Sequence, residues 1–438
     1  MVNRYSDHTD TGIEWIGDIP SNWNIKPLFA LLQENKTKNI FKNENVLTLS
    51  YGQIKLRDLS KNRGLLPENF EGYQVVENGY IIIRSTDLQN DKKSLRVGLV
   101  RNTGVITSAY LGLIPSKEIS PDFTYQYLNM CDLKKVFYGL GGGLRQSLRF
   151  DDFKRFPLLV PPPHEQTLIS KYLNKKTSQI DSLIEKIERK IKLLKEQRTS
   201  LINQCVTKGL NPDVEMKDSG IEWMGEIPRH WKVKRLKYFS SVELSSVDRH
   251  IVEDEIPVDV CHYTQVYKNE KINKTTELSK GTCTPQELKK FSLFKGDILL
   301  TKDSESPDDI GIPTLIEEEL KDTVCGYHLC HIRVLKKEMN PEFLYRFIES
   351  TMIQKYFSIS SNGVTRFGLG KPIIENMPVL LPPPVDQQTI ADKINRFSTL
   401  VLSTISKETN RIELLKEYRQ SLISNVVTGK IRITEKMI

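Results

Sequence analysis

The chain is sparing with several residue types, and each shortage excludes something. Its 438 residues hold six cysteines with no CxxC pair, a pattern that points to reduced thiols in a cytoplasm and away from a disulfide framework. No apolar run approaches the roughly 18 to 20 residues that a bilayer-spanning helix needs. The polar opening MVNRYSDHTD gives the expectation that no secretory signal leads the chain. The adenine-methylase tetrapeptide pattern [DNS]-P-P-[YFW] does not occur. Tryptophan is limited to four residues, and their placement organises the rest of the reading.

At 38% hydrophobic and 27% charged residues, the composition fits folded globular domains and argues against global disorder. The net charge of +8 permits nucleic-acid binding without establishing it. Its distribution is uneven. Residues 24–156 carry 20 Lys/Arg against 13 Asp/Glu, whereas residues 232–377 carry 21 against 22. If both segments bind DNA, the second does so with locally placed cations.

The chain is written twice. Asp10–Trp23 reads DTGIEWIGDIPSNW and Asp218–Trp231 reads DSGIEWMGEIPRHW, nine of fourteen positions being identical at an offset of 208. All four tryptophans (Trp15, Trp23, Trp223, Trp231) lie in these copies. A buried Trp covers some 150–250 Å², so a docking core is the expected role. A second repeat, FPLLVPPPHEQ at 156–166 and MPVLLPPPVDQ at 377–387, and a third, IKLLKEQRTSLI at 191–202 and IELLKEYRQSLI at 412–423, share an offset of 221. Repeats bound the architecture before any local detail does. The plan is an N-terminal constant segment (1–23), a variable domain (24–156), a central constant region (157–231), a second variable domain (232–377) and a C-terminal constant region (378–438). This order predicts a pseudo-two-fold object whose two ends lie close together.

The constant regions read as long helices. Prolines at 161–163 lead into helical spacing that continues to Thr207, and Gly209 and Pro212 supply the stop. Leu173, Ile180, Ile187, Leu194 and Leu201 recur every seven residues, as do Ile394, Val401, Leu415 and Leu422 in the second copy, where Glu408 interrupts the series. Each helix of about 45 residues spans roughly 65 Å. A single apolar stripe needs a partner, and the other copy is the expected one, in an antiparallel pair that sets a distance.

The variable segments read as mixed α/β (α+β). Strand signals fall at 79–84, 106–114, 296–301 and 324–334, with short helices at 121–130 and 341–349. The fold expected is therefore two globular mixed α/β domains joined by two antiparallel coiled-coil helices.

This arrangement resembles the specificity subunit of type I restriction-modification systems. The resemblance covers nearly the whole chain and rests on the paired GIEWxGxIPxxW motifs and the paired P-(L/V)-x-x-PPP-x-(E/D)-Q segments, each of the latter leading into a long helix. It implies two target-recognition domains that each read half of a split DNA site. It also implies partners: two adenine methyltransferase subunits, and restriction (motor-nuclease) subunits for cleavage. No cofactor is expected on this chain; S-adenosylmethionine, ATP and Mg would be bound by those partner subunits.

Base reading needs forked polar side chains, and phosphate contacts need cations. The candidates in the first domain are Tyr51 and Gln53, then Arg84, Asp87, Gln89 and Asn90, then Arg145 and Gln146. In the second they are Lys302, Ser304 and Arg366, with Arg145 and Arg366 aligned at the offset of 221. The competing readings are a Mg-dependent nuclease built on Asp308, Glu319 and Lys321, and a coiled-coil scaffold without DNA. Cys325, His328, Cys330 and His331 hint at zinc, but a continuous strand would point them to both faces. Gly363, Gly368 and Gly370-Lys371-Pro372 lack the Ser/Thr and spacing of a phosphate loop.

Overall fold

The computed structural model describes residues 4–40, 45–59, 69–88, 95–140, 147–248 and 250–438. These fall into two compact units, Met1–Glu188 with Thr409–Ile438, and Arg189–Glu408. Four helices matter below: α1 (Pro121–Leu133), α2 (Pro163–Lys208), α3 (Pro341–Glu349) and α4 (Pro384–Val427). All four begin on a proline, whose missing N–H costs nothing in a first turn.

Each variable domain is closed at its neck by a two-stranded antiparallel ribbon. In the first unit Asn24–Pro27 pairs with Pro157–Val160, Asn24 facing Val160. In the second, Lys232–Arg235 pairs with Pro378–Leu381, Lys232 facing Leu381. The residues just after the tryptophan motif are thus tied to the run that enters the long helix. That is why the constant motifs bracket the variable sequence.

Within the neck the first domain builds a four-stranded antiparallel sheet in the order Leu32–Glu34, Leu111–Pro115, Ile81–Ile83, Val97–Leu99. The second builds a five-stranded sheet: Ser240–Leu244, Leu329–Val334, Ile298–Thr301, Pro313–Ile316, Lys271–Ile272. It adds a three-stranded sheet of Ser279–Cys283, Ile256–Cys261 and Thr323–Cys325. Different as they are, the domains share a joint. Gly79 (φ +94°) and Gly296 (φ +90°) each open the central strand in a conformation that suits glycine. A Cβ on either would press on the leading proline of the next helix, Pro121 or Pro341, at 3.4 and 3.3 Å.

A second shared joint explains the glutamine of the PPP-x-(E/D)-Q motif. Buried Gln166 donates to the Pro161 carbonyl at 2.8 Å and accepts from the backbone N–H of Ser120, the N-cap of α1, at 2.6 Å. Gln387 repeats this with the Pro382 carbonyl at 2.8 Å and Asn340, the N-cap of α3, at 2.7 Å. One side chain on each long helix therefore fixes the start of a recognition-domain helix.

Segments of α2 and α4 run antiparallel in both units. Arg419 Nε donates to Asp181 at 2.9 Å in the first; Arg198 reaches Ser398 at 3.1 Å and Lys190 reaches Glu408 at 2.6 Å in the second. Of the expected seam, Leu173, Ile180, Ile187, Ile394, Val401 and Leu422 are buried, and Leu194, Leu201 and Leu415 are half-buried. Near the end of α2 the buried face has moved to Ile202, Cys205 and Val206, the drift of a 3.6-residue helix off a seven-residue repeat. Glu408, the interruption, is 9% exposed and forms the ion pair with Lys190.

Both chain ends belong to the first unit. Arg432 lies over the Tyr5 ring at 5.6 Å, and the closing Ile438 carbonyl accepts from Lys175. Trp23 and Trp231 are buried cores of the two motif copies, Trp15 stacks on Phe156, and Trp223, 44% exposed, stacks on Tyr356.

Two strand readings are corrected. The run 106–114 is two strands, Gly104–Ile106 and Leu111–Pro115, parted by a turn. The run 324–334 is Thr323–Cys325 and Leu329–Val334, broken where His328 takes φ +71°.

Candidate nucleic-acid interface

In the first domain, Leu47–Ser50 and Gln53–Leu56 form a hairpin closed by Tyr51 and Gly52. Their φ values of +50° and +74° suit a two-residue turn of the primed type, which matches the twist of the strands. The turn holds Tyr51 89% exposed with exposed Gln53 beside it. A Cβ on Gly52 would lie 3.2 Å from the Leu95 side chain, so the hairpin tip rests beside residues 95–96.

The next residue, Arg96, is fully buried and went unnoticed in the sequence. Its guanidinium donates to the carbonyls of Arg84 (3.1 Å), Thr86 (2.7 Å) and Asp87 (2.9 Å), and its Nε to the Tyr138 hydroxyl at 3.1 Å. These bonds pin the turn that presents half-exposed Arg84 and Asp87, the latter at φ +59°. The Leu148 N–H donates to the Ser85 carbonyl at 2.8 Å, bringing the stretch after the glycine loop to the same turn. Gln89, Asn90, Arg145 and Gln146 lie outside the described residues. An arginine directly ahead of the apolar strand Val97–Leu99 was the available signal; its partners are carbonyls, which no side-chain pattern reveals.

In the second domain the two candidate stretches meet. Asp303–Ser304 pairs with Phe367–Gly368, and the Leu369 N–H donates to the Lys302 carbonyl at 2.8 Å. Ser304 and Arg366 line a cleft of about 1110 Å³ together with His262, Tyr263, Tyr327 and His328, none of which was singled out as a reader. Lys302 is not a cleft-lining cation. Its ammonium bonds Asp303 at 2.7 Å and sits 4.9 Å over the Tyr327 ring. Burial alone would raise the Asp303 carboxyl, but bonds with Lys302 and with His328 (2.7 Å) hold it below the usual carboxylate range. Exposed Arg366 places Nη2 3.3 Å from both ring nitrogens of His328. Its remaining N–H groups make no other hydrogen bond among the described residues, so a fork of donors faces the cleft.

Of the nuclease residues, Asp308 accepts from Ser358 at 3.0 Å, and Lys321 lines a cleft that neither Asp308 nor Glu319 lines. Among the described residues no group of three or more His, Cys, Asp or Glu is placed to hold a metal ion. His328 is engaged with Asp303, and His331 with Asp297 at 2.9 Å. Lys371 of the phosphate-loop lookalike is bound to Glu243 at 3.2 Å. No helix among the described residues is long and apolar enough to cross a membrane.

Residues 20–193 and 254–414 match the sequence model of the type I restriction modification DNA specificity domain. The chain belongs to this family. A Methanocaldococcus jannaschii chain assigned as the MjaX specificity subunit of a type I restriction enzyme is 23% identical over 95% of this chain and 96% of its own. Two solved structures share the fold at 12% identity. The HsdS subunit from Thermoanaerobacter tengcongensis covers 94% of this chain and 98% of its own with a TM-score of 0.53. A chain from a study of complex assembly and conformational transition of the type I R-M system covers 93% and 98% with a TM-score of 0.67. The specificity subunit is the DNA-recognising, non-catalytic part of a type I restriction-modification complex, and its long helices correspond to the coiled-coil linkers of that fold.

Proposed function

We propose that this specificity subunit reads a split DNA site, one block through each recognition domain, and that it docks two adenine methyltransferase subunits, with restriction subunits joining for cleavage. The observation that carries the reading is the shared frame with unlike edges. The same joints, Gly79 on Pro121 with Gln166 on Ser120, and Gly296 on Pro341 with Gln387 on Asn340, hold two domains whose exposed side chains differ. In the first, Tyr51, Gln53 and the Arg84–Asp87 turn present the reading edge. In the second, Arg366 offers its guanidinium fork to a guanine O6 and N7, the pairing that geometry favours in the major groove. S-adenosylmethionine, ATP and Mg²⁺ belong to the partner subunits, where methyl transfer and DNA cleavage take place.

The constant frame occurs twice along the chain, with its neck ribbon and glutamine joint repeated, which supports two methyltransferases per chain. The mass of the saturated modification complex tests this. Two partners per chain are expected; a fully active complex with one would refute it. Exchange of residues 24–156 for another such domain tests the reading roles. One block of the methylated motif should change and the other stay.

A further inference from the structure

Just ahead of the two motif copies the chain differs at the position of Tyr5, and beside that difference the second repeat keeps an open pocket. In the first repeat the indole of Trp23 is covered by Tyr5. The ring meets Trp23 edge-on at 6.0 Å. Its hydroxyl donates to Glu165 at 2.5 Å, and Trp23 Nε1 donates to the same carboxylate at 3.0 Å. Burial and then Glu165 push the Tyr5 hydroxyl well above its ordinary range, so it remains a neutral phenol. A Cβ on Gly429 would meet both Pro20 and Trp23, and Leu168 and Ile169 belong to the same core as Trp23.

In the second repeat the offsets put Trp231 for Trp23, Asp386 for Glu165, Pro228 for Pro20, and Thr389 and Ile390 for Leu168 and Ile169. A Cβ on Gly209 would lie 3.2 Å from the Trp231 ring, as one on Gly429 would lie 3.3 Å from the Trp23 ring. At the position of Tyr5 stands Asp213, which is exposed. These residues line a pocket of about 220 Å³ that opens to solvent, a volume that accommodates a single aromatic ring. Asp386, one methylene shorter than Glu165, bonds His230 at 3.1 Å, and Trp231 Nε1 has no hydrogen-bond partner among the described residues.

We propose that this pocket takes a phenol, presented as a tyrosine side chain by another subunit of the complex, with its hydroxyl between Asp386 and Trp231 Nε1. The chain's own first repeat shows that ring in that frame. An aromatic anchor in a preformed pocket is also the usual energetic centre of an interface. The partner part of the proposal rests on the reading of this chain as an assembling subunit; the pocket part does not.

The test uses p-cresol, the tyrosine side chain as a free molecule, and the full chain. One p-cresol per wild-type chain is expected, shifting the Trp231 indole N–H resonance. Tyr5→Ala should open the first-repeat site and raise the count to two. Saturating p-cresol should weaken capture of the methyltransferase subunit at the second repeat, one of the two expected per chain, by at least about ten-fold, the worth of one anchoring contact, and leave the first-repeat subunit bound. Asp213→Tyr, which supplies the missing ring from within the chain, should abolish p-cresol binding, weaken capture to the same degree and leave DNA binding by the chain alone unchanged. No p-cresol bound to wild type overturns the proposal. So does second-repeat capture within two-fold of normal when the pocket is filled, and so does loss of self-association in its place, which would give the pocket to a second copy. If the methyltransferase does not bind wild type at all, the subunit reading fails, while the p-cresol count still decides the pocket.

Discussion

Replacing Arg96 by methionine keeps most of the volume and removes every donor. Three carbonyls, of Arg84, Thr86 and Asp87, then lose a charged partner, and Tyr138 loses one as well. Hydrogen bonds to a charged group contribute about 1.5–3 kcal/mol each, and a buried acceptor left without a partner costs about 1–3 kcal/mol. The turn lies near the surface, so water recovers part of that. A net cost of about 3–4 kcal/mol to the first domain follows, enough to unpin the 84–87 turn in the folded state. Hydrogen exchange should show the loss directly, with residues 84–87 deprotected and the second unit unchanged. In a methylation assay the first block of the site should lose its sequence preference while the second keeps it. If the variant has wild-type protection at 84–87 and an unaltered motif, Arg96 does not hold the reading turn and the argument fails.

Gln387→Leu should cost the second domain about 2–4 kcal/mol, because two bonded carbonyls and the Asn340 N–H lose their buried partner; Gln166→Leu should do the same to the first domain alone, each read from separate unfolding transitions. Asp297 is 3% exposed and bonded to Arg333 and His331; burial opposes its ionisation, but those partners lower its pKa on balance. A lowered carboxylate stabilises fully above its unfolded pKa and loses that contribution as pH falls through the folded value. Asp297→Asn should therefore cost about 3–5 kcal/mol at neutral pH, and the gap to wild type should close below about pH 4, as followed by denaturant titrations across pH. Glu408→Ile, which restores the apolar series, should leave stability unchanged or higher, since an ion pair with one half-exposed partner seldom outperforms apolar packing for the buried one; Lys190→Met alone should destabilise, because it leaves the Glu408 carboxylate without this partner, and calorimetry separates the two.

Much of the frame was legible because it is periodic or repeated. The seven-residue spacing from Leu173 to Leu201 marked a helix, and Pro163 and Gly209 marked its ends to within a residue or two. The offsets of 208 and 221 located the repeated frame, and the expected closeness of the two ends agrees with Arg432 lying over the Tyr5 ring. The candidate reading edge was legible only as stretches. Ser304 and Arg366 were chosen by residue type, and their meeting depends on the pairing of Asp303–Ser304 with Phe367–Gly368 across some sixty residues. Lys302 was chosen for its charge, which the fold spends on Asp303. Arg96 and Gln166 act on backbone groups, and side-chain patterns carry no record of carbonyls or amides. The continuous strand expected at 324–334 failed at Gly326 and His328, a break that β-propensity on either side conceals.

The most direct test of the account is the adenine-methylation motif in DNA from cells carrying this chain and its methyltransferase, with and without exchange of residues 24–156. A motif of two specified blocks around an unspecified gap, with one block replaced by the exchange, is the expected result. A single uninterrupted block, or an exchange that rewrites both blocks, would contradict it.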